Sequence, residues 1–144
     1  MAEEDEVHEF SEVTKEWLGG WLSGGKDITD LPTTVIAECQ DYLPTDGHTL
    51  LYKALTKGDK LVKLDGNNAI FIATNPSSWT YDFEMSKNFK TEWPVVSISI
   101  GEASVLIDTT MLDPTYIMNT LGGFPDEREV ILLPGTYRVT IRAV

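Results

Sequence analysis

The sequence predicts an α+β domain, with helices first and a largely antiparallel sheet after them. Apolar side chains recur at spacings of three and four over residues 7–22 and 35–43, which is typical of helices that bury one face. After residue 48 the pattern changes to short apolar segments separated by turn residues, which is typical of strands. Helices followed by strands, rather than alternating with them, favour antiparallel pairing.

The first predicted helix carries one apolar stripe, formed by Val7, Phe10, Val13 or Thr14, Trp17, Leu18, Trp21 and Leu22. Positions 19–20 and 24–25 are glycine pairs that can end the helix, and the first pair lies inside the apolar pattern, which argues against one continuous helix. A second helix is expected to begin after Pro32 and to end at Pro44 and Gly47. Its predicted buried side chains are Val35, Ile36, Cys39, Tyr42 and Leu43.

The segments predicted to be strands are 49–55, 69–74, 95–100, 104–108, 129–133 and 136–144. Turns are expected at 65–67, which read Asp-Gly-Asn, and at Pro134-Gly135. One further helix is expected to begin at Pro76 and to run to about Phe89. The length of 144 residues suits one domain, and 42% hydrophobic residues can supply its core.

The chain carries 23 acidic and 11 basic residues, a net charge of −12, and residues 1–12 hold six of the acids and no lysine or arginine. Such a surface repels phosphate backbones, so we expect no direct nucleic-acid binding and favour basic partners. The acidic start differs from a secretory signal, and no stretch approaches the roughly 20 apolar residues that span a bilayer. We therefore expect no membrane association and a cytoplasmic location.

Several common kinds of site are excluded by residue counts and missing motifs. The single cysteine, Cys39, permits no intramolecular disulfide and no cysteine-built zinc site, and His8 and His48 lie far apart, so no metal is expected. No Gly-x-Ser-x-Gly, Gly-x-x-x-x-Gly-Lys or Gly-x-Gly-x-x-Gly motif occurs. The common hydrolases, P-loop enzymes and Rossmann dehydrogenases are thereby excluded.

One carboxylate pair stands out, Glu127 and Glu129, directly before the apolar run 130–133. In an extended segment both glutamates point to one side, while Arg128 points to the other. Two carboxylates at the mouth of a strand can stabilise a cationic sugar and orient a nucleophile, as in glycosyl-transfer chemistry. The alternative is a charged loop edge in solvent, because short motifs often match by chance.

Residues 127–139, which read Glu-Arg-Glu-Val-Ile-Leu-Leu-Pro-Gly-Thr-Tyr-Arg-Val, resemble the C-terminal signature of mono-ADP-ribosyltransferases. In the arginine-modifying, toxin-like branch, a Glu-x-Glu precedes a Val-Leu-Leu strand, a Pro-Gly turn and a final strand. Upstream, 51–55 resembles the strand that normally reads Tyr-Arg-Gly, and 71–75 resembles the Phe-x-Ser-Thr-Ser strand. The resemblance covers about residues 30–144.

The resemblance implies two facing, mostly antiparallel sheets that form a cleft for nicotinamide adenine dinucleotide (NAD), which is used as substrate. Glu129 would stabilise the cationic ribose as nicotinamide leaves, and Glu127 would position or deprotonate the acceptor. In this family a glutamate at the position of Glu127 accompanies guanidinium acceptors, and paired carboxylates suit the planar fork of arginine. The residues implied to contact NAD are Tyr52, Lys53, Ala54, Ala73, Thr74 and Asn75.

Two departures from the family pattern affect this interpretation. Lys53 replaces an arginine and can neutralise a phosphate only as a point charge. The sequence Ala-Thr-Asn at 73–75 replaces Ser-Thr-Ser, and Ala73 cannot supply the hydroxyl that normally binds the catalytic glutamate. Either these contacts are rebuilt elsewhere, or the scaffold is kept without the reaction.

We therefore expect residues 1–144 to form a single ADP-ribosyltransferase-like domain, with an acidic head (1–12), a helical lead-in (13–48) and a catalytic core (49–144). The expected function is transfer of ADP-ribose from NAD to an arginine, or another nucleophile, of a target macromolecule. Such a protein could act as a bacterial effector, or in the host cytoplasm if viral. The alternative is a catalytically inactive, acidic interaction or inhibitor protein that docks on a basic partner. NAD hydrolysis without transfer would use the same Glu129.

Overall fold

A computed structural model describes residues 8–24, 30–44, 47, 49–55, 59–83 and 94–143. Its helices are α1 (Glu12–Leu22), α2 (Thr33–Glu38, followed by a 3-10 turn at Cys39–Tyr42) and α3 (Pro114–Asn119). Its strands are β1 (Leu50–Ala54), β2 (Lys60–Lys63), β3 (Asn68–Ala73), β4 (Ser77–Thr80), β5 (Val95–Ser99), β6 (Val105–Asp108), β7 (Glu129–Leu132) and β8 (Gly135–Ala143). The predicted α+β class is confirmed.

Helix α1 runs through its double glycine without a break, contrary to the expectation from the sequence. The glycine at position 19 serves the packing of the helix, because a Cβ on Gly19 would lie 3.3 Å from the carbonyl oxygen of Leu121. Glycine therefore permits the close approach of the helix to this loop. In the buried stripe Thr14 rather than Val13 faces inward, and Val13 is 47% exposed. The predicted stripe member Val7 lies outside the described residues.

Helix α2 begins directly after Pro32, as predicted, and buries Val35 and Cys39 completely. Ile36 and Tyr42 are only partly buried against the same core, and Leu43, also predicted to be buried, is only partly buried. Burial, reinforced by the charge of Glu38, raises the pKa of the Cys39 thiol to about 12. Because the thiolate is the reactive form of cysteine, Cys39 packs as a small apolar side chain and does not act as a nucleophile.

The strands form one hydrogen-bonded sheet in the order β2-β3-β8-β5-β1-β4-β7-β6, and every pair in it is antiparallel. A single residue pair, Tyr52 with Thr80, joins β1 to β4. The predicted two facing sheets are thus one continuous sheet with a narrow link. Short turns connect β2 to β3 and β7 to β8, as the glycine-containing turn sequences predicted.

The sheet folds over at this link, so its two parts face each other across a shared core. Strands β3 and β4 lie four positions apart in the order, roughly 19 Å in a flat sheet. Yet the rings of Phe71 on β3 and Trp79 on β4 are only 5.7 Å apart and meet edge to face. The hydroxyl of Tyr137 on β8 also donates to the carbonyl of Leu133, which follows β7. The core between the two parts is therefore closed by strands that are distant in the sheet.

The predicted helix from Pro76 to about Phe89 is wrong at its start, because Ser77–Thr80 form strand β4. This strand pairs with β7 over four residues, from Ser77 with Leu132 to Thr80 with Glu129. Tertiary pairing thus overrides the proline and serine signal that is typical of a helix start. The last part of that prediction, 84–89, lies outside the described residues.

Strand β2 and helix α3 were not predicted. Strand β2 is an edge strand whose residues are mostly exposed, so its apolar pattern is weak. Helix α3 begins after Asp113, whose carboxylate accepts from the amides of Thr115 and Tyr116. An aspartate before a proline is a typical start of a helix, so the sequence did contain a signal for α3. No helix within the described residues has the length and apolar character needed to cross a membrane.

The helices cover the outer face of β6 and β7 and form a second core with them. His8 lies at the edge of this core and is 8% exposed. Its Nε2 accepts from the amide of Asp113 at 2.9 Å, and its Nδ1 lies 3.0 Å from the hydroxyl of Tyr42. The ring meets those of Tyr42 and Tyr116 edge to face. These contacts fit the neutral ring, with Nε2 unprotonated.

We expect His8 to make the protein less stable as the pH falls below about 6.5. Burial lowers the pKa of His8, although the charge of Asp113 opposes this effect. At pH values below 6.5, the ordinary pKa of histidine, His8 binds a proton more readily in the unfolded chain than in the folded chain. The free energy of unfolding therefore falls. Urea unfolding of the wild type and of His8→Gln between pH 7.5 and 5 measures this difference. A stability difference between the two proteins that is constant over this range would contradict the prediction.

Candidate functional site

A cavity of about 450 Å³ lies where β1, β3, β4, β7 and helix α1 meet. Its volume falls within the range of small-molecule and cofactor sites. All eight site residues named from the sequence line it: Tyr52, Lys53, Ala54, Ala73, Thr74, Asn75, Glu127 and Glu129. The three segments that resemble a known family therefore meet at one cavity, although they lie far apart in the chain.

Strand pairing explains why the first and last of these segments meet. Tyr52 on β1 is the partner of Thr80 on β4, and Thr80 is in turn the partner of Glu129 on β7. Directly opposed residues of antiparallel strands point to the same face of a sheet. Tyr52, Thr80 and Glu129 therefore form one row across three strands, and all three line the cavity.

The carboxylate of Glu129 is buried, with 3% of the residue exposed. Its Oε2 accepts a hydrogen bond from the indole Nε1 of Trp21 at 2.8 Å and another from the hydroxyl of Ser78. A buried carboxylate is costly unless donors satisfy it, and hydrogen bonds to a charged group are the stronger kind. Two donors on one oxygen hold the carboxylate in a fixed orientation at the cavity wall.

The chain from Glu127 to Glu129 is not extended, contrary to the alternation argument from the sequence. Glu127 ends a 3-10 turn, Arg128 has left-handed backbone angles (φ 47°, ψ 51°), and Glu129 begins β7. Such angles cost a residue other than glycine roughly 1–2 kcal/mol. Both glutamates still line the cavity, because the left-handed residue turns the chain between them.

Hydrogen bonds hold three consecutive carbonyl groups of this segment. The hydroxyl of Thr80 donates to the carbonyl of Glu127 at 2.8 Å, and the hydroxyl of Thr109 donates to that of Glu129 at 2.5 Å. Between them, the amide of Tyr81 donates to the carbonyl of Arg128 at 3.4 Å. The strained turn persists because its surroundings fix the backbone on both sides.

The Arg128 side chain lies on the outside of this turn, against Tyr81. Its guanidinium carbon is 5.6 Å from the centre of the Tyr81 ring, a cation–π contact. The hydroxyl of Tyr81 donates to the buried carboxylate of Asp108 at 2.6 Å, which also accepts from the amide and hydroxyl of Thr110. A network of four residues thus supports the left-handed turn from the side away from the cavity.

The hydroxyl beside Glu129 comes from a strand that the sequence did not indicate. The resemblance implied a hydroxyl at 73–75, where Ala73 has none. The structure supplies that hydroxyl from Ser78, one strand later, while Ala73, Thr74 and Asn75 line another part of the cavity. The missed signal was the Ser-Ser-Trp-Thr sequence at 77–80, which was interpreted as a helix start.

Several cavity residues were not predicted as site residues: Trp21, Asp59, Lys60, Phe71, Ile72, Pro76, Ser77, Ser78, Trp79 and Thr80. Trp21 belongs to α1, and the sequence placed it only in the apolar stripe of that helix. Lys60 adds a second cationic side chain to that of Lys53. The cavity thus carries two lysines and three carboxylates, those of Asp59, Glu127 and Glu129, so it offers charged groups of both signs to a ligand.

Within the part of the chain that the structure describes, no three histidine, cysteine, aspartate or glutamate side chains are grouped so that they could hold a metal ion. The side chains that line the cavity offer carboxylate, hydroxyl, indole and ammonium groups. Searches of family models, of curated proteins and of solved structures found no match to this chain.

Proposed function

We propose that this protein is a mono-ADP-ribosyltransferase that uses NAD as substrate and an arginine of another macromolecule as acceptor. The observation that carries the proposal is the buried carboxylate of Glu129, which Trp21 and Ser78 hold at the wall of a 450 Å³ cavity. Support also comes from Glu127 and Lys53, which line the same cavity. In this proposal the cavity that these residues line serves as the NAD cleft.

In the proposed reaction the bond between the ribose C1′ and the nicotinamide nitrogen breaks, and nicotinamide leaves with the electron pair. The ribose carbon becomes a cation, which the fixed negative charge of Glu129 stabilises in the transition state. A guanidinium nitrogen of the acceptor then bonds to C1′ and loses a proton. Glu127 orients the guanidinium and accepts this proton.

The acceptor preference follows from charge and geometry. Paired carboxylates match the planar donor fork of arginine, which a lysine ammonium cannot reproduce. A net charge of −12 attracts a basic protein surface around that arginine and repels nucleic acid. We therefore propose a protein acceptor with an exposed arginine in a basic region, and action in the cytoplasm of a cell that contains it.

Direct tests are nicotinamide release from NAD and transfer of label from adenylate-labelled NAD to proteins of a cell lysate. We expect both with the wild-type protein. If neither occurs, and if a basic protein binds equally well to the wild type and to Glu129→Gln, the inactive docking protein is the better description. Nicotinamide release without labelled protein would instead show NAD hydrolysis alone.

Lys53→Gln is expected to raise the KM for NAD about tenfold and to change kcat little, because it removes a charge that pairs with a substrate phosphate. Lys63→Gln is the matched control. It makes the same change on the edge strand β2, where Lys63 is exposed and does not line the cavity. Steady-state kinetics with both variants checks this expectation, and an unchanged KM in Lys53→Gln would remove Lys53 from the binding site.

A further inference from the structure

Helix α1 contributes a side chain to the cavity that neither the sequence nor the resemblance indicated. The indole of Trp21 is fully buried, lines the cavity and donates its Nε1 hydrogen to Oε2 of Glu129 at 2.8 Å. The two residues are 108 positions apart in the chain. A buried indole N–H needs an acceptor, and here that acceptor is a carboxylate at the cavity wall.

The orientation of this indole is set within the helix. Trp17 lies one turn earlier, and its ring stacks on that of Trp21 with a centroid distance of 5.2 Å and an interplanar angle of 10°. The Nε1 of Trp17 donates to the carbonyl of Asp30 at 2.7 Å, which anchors the outer ring. The pair is therefore a rigid support that presents one N–H group to the carboxylate.

The same helix also packs on the loop that leads into the Glu127–Glu129 turn. Gly19 fits closely against the carbonyl of Leu121, as described above. At the end of α1, Leu22 meets the same loop at Gly123. A Cβ on Gly123 would lie only 2.8 Å from the Cβ of Leu22, so this glycine lets the loop touch the helix. One helix thus contacts the Glu129 carboxylate and the segment that precedes Glu127.

We propose that Trp21 is a positioning residue for Glu129, and that helix α1 is a working part of the site rather than a cover for the core. The effect of Trp21 on catalysis rests on the proposed function. Trp21 acts through the carboxylate: its N–H and the Ser78 hydroxyl converge on Oε2 and fix the side-chain rotamer. Fixing the carboxylate before the reaction favours the transition state more than the ground state.

Trp21→Phe keeps an aromatic ring for stacking and removes the N–H donor. We expect kcat for nicotinamide release to fall about ten- to hundred-fold, while the KM for NAD changes little. Trp17→Phe is the matched comparison, because it removes an indole N–H from the same stacked pair but leaves the hydrogen bond between Trp21 and Glu129 in place. Since it only loosens the support of that indole, we expect it to lower kcat clearly less than Trp21→Phe does. Equal losses in the two variants, or unchanged kcat in Trp21→Phe, would overturn the proposal.

A second measurement does not depend on activity. The indole N–H signals of ¹⁵N-labelled protein, assigned on the wild type, should show a downfield Trp21 proton, as expected for a donor to a carboxylate. In Glu129→Gln this signal should move upfield, and that of Trp17 should stay in place. An unmoved Trp21 signal overturns the proposal even if NAD is consumed. A shifted signal in a protein that releases no nicotinamide supports the contact and rejects the transferase.

Discussion

Glu129→Gln is expected to lower kcat/KM for ADP-ribosyl transfer by a factor of about 100 to 1,000 and to leave the protein folded. This loss follows from the proposed role of Glu129, because a neutral amide would no longer stabilise the cationic ribose. We expect the fold to survive because two donors to the side chain, Trp21 and Ser78, converge on one oxygen. The carbonyl oxygen of glutamine can accept both hydrogen bonds in its place.

The measurement is label transfer from NAD to a lysate, together with the thermal unfolding of both proteins. Glu127→Gln serves as the comparison, because it also removes one carboxylate from the cavity wall. We expect it to lose transfer to arginine while nicotinamide release from NAD continues. Labelling of proteins by Glu129→Gln at the wild-type rate would contradict the proposed role of Glu129. Loss of transfer in a variant that is unfolded would contradict the prediction as well.

Trp79→Ala is expected to lower the free energy of unfolding by about 3–5 kcal/mol, the usual cost of deleting a buried aromatic side chain. Trp79 is 1% exposed and lies where the two parts of the sheet face each other. Its ring meets Phe71 edge to face, and its Nε1 donates to the hydroxyl of Ser77 at 2.9 Å. The substitution leaves a cavity and also an unsatisfied buried hydroxyl.

This cost is a large share of the 5–15 kcal/mol by which domains are usually stable, so part of the variant should be unfolded at 37 °C. Urea unfolding measures the effect. Met118→Ala is the control, because Met118 is also a large apolar residue but is 53% exposed, and its loss should stay within about 0.5 kcal/mol. Similar losses in the two variants would show that Trp79 is not the centre of this core.

The strand positions illustrate what local pattern can and cannot predict. Strands β1, β3, β5, β6, β7 and β8 fall within a residue or two of the segments expected from the sequence. Their apolar residues and bounding turns are local features that one chain segment carries by itself. Strand β4 was missed because its four residues hold a strand conformation through pairing with β7, and β2 because it is an exposed edge.

The candidate site likewise has features that the sequence predicted and features that it did not. The Glu-x-Glu ahead of an apolar run is readable in the sequence, and both glutamates line the cavity. The extended geometry inferred for them is wrong, because Arg128 takes left-handed angles that a pattern of residue types does not reveal. Ser78 and Trp21 were overlooked as donors to Glu129, since nothing near either residue in the sequence points to a carboxylate.

The amino-acid sequence alone determined the helices-then-strands order, the excess of negative charge and the placement of the carboxylate pair at the start of a strand. These follow from composition and from periodicity over a few residues. The tertiary structure alone decided which groups surround Glu129, since the donors Ser78 and Trp21 lie 51 and 108 positions away from it in the chain. Contacts over such separations depend on how the folded sheet and helix α1 pack together, and local residue preferences do not specify that packing.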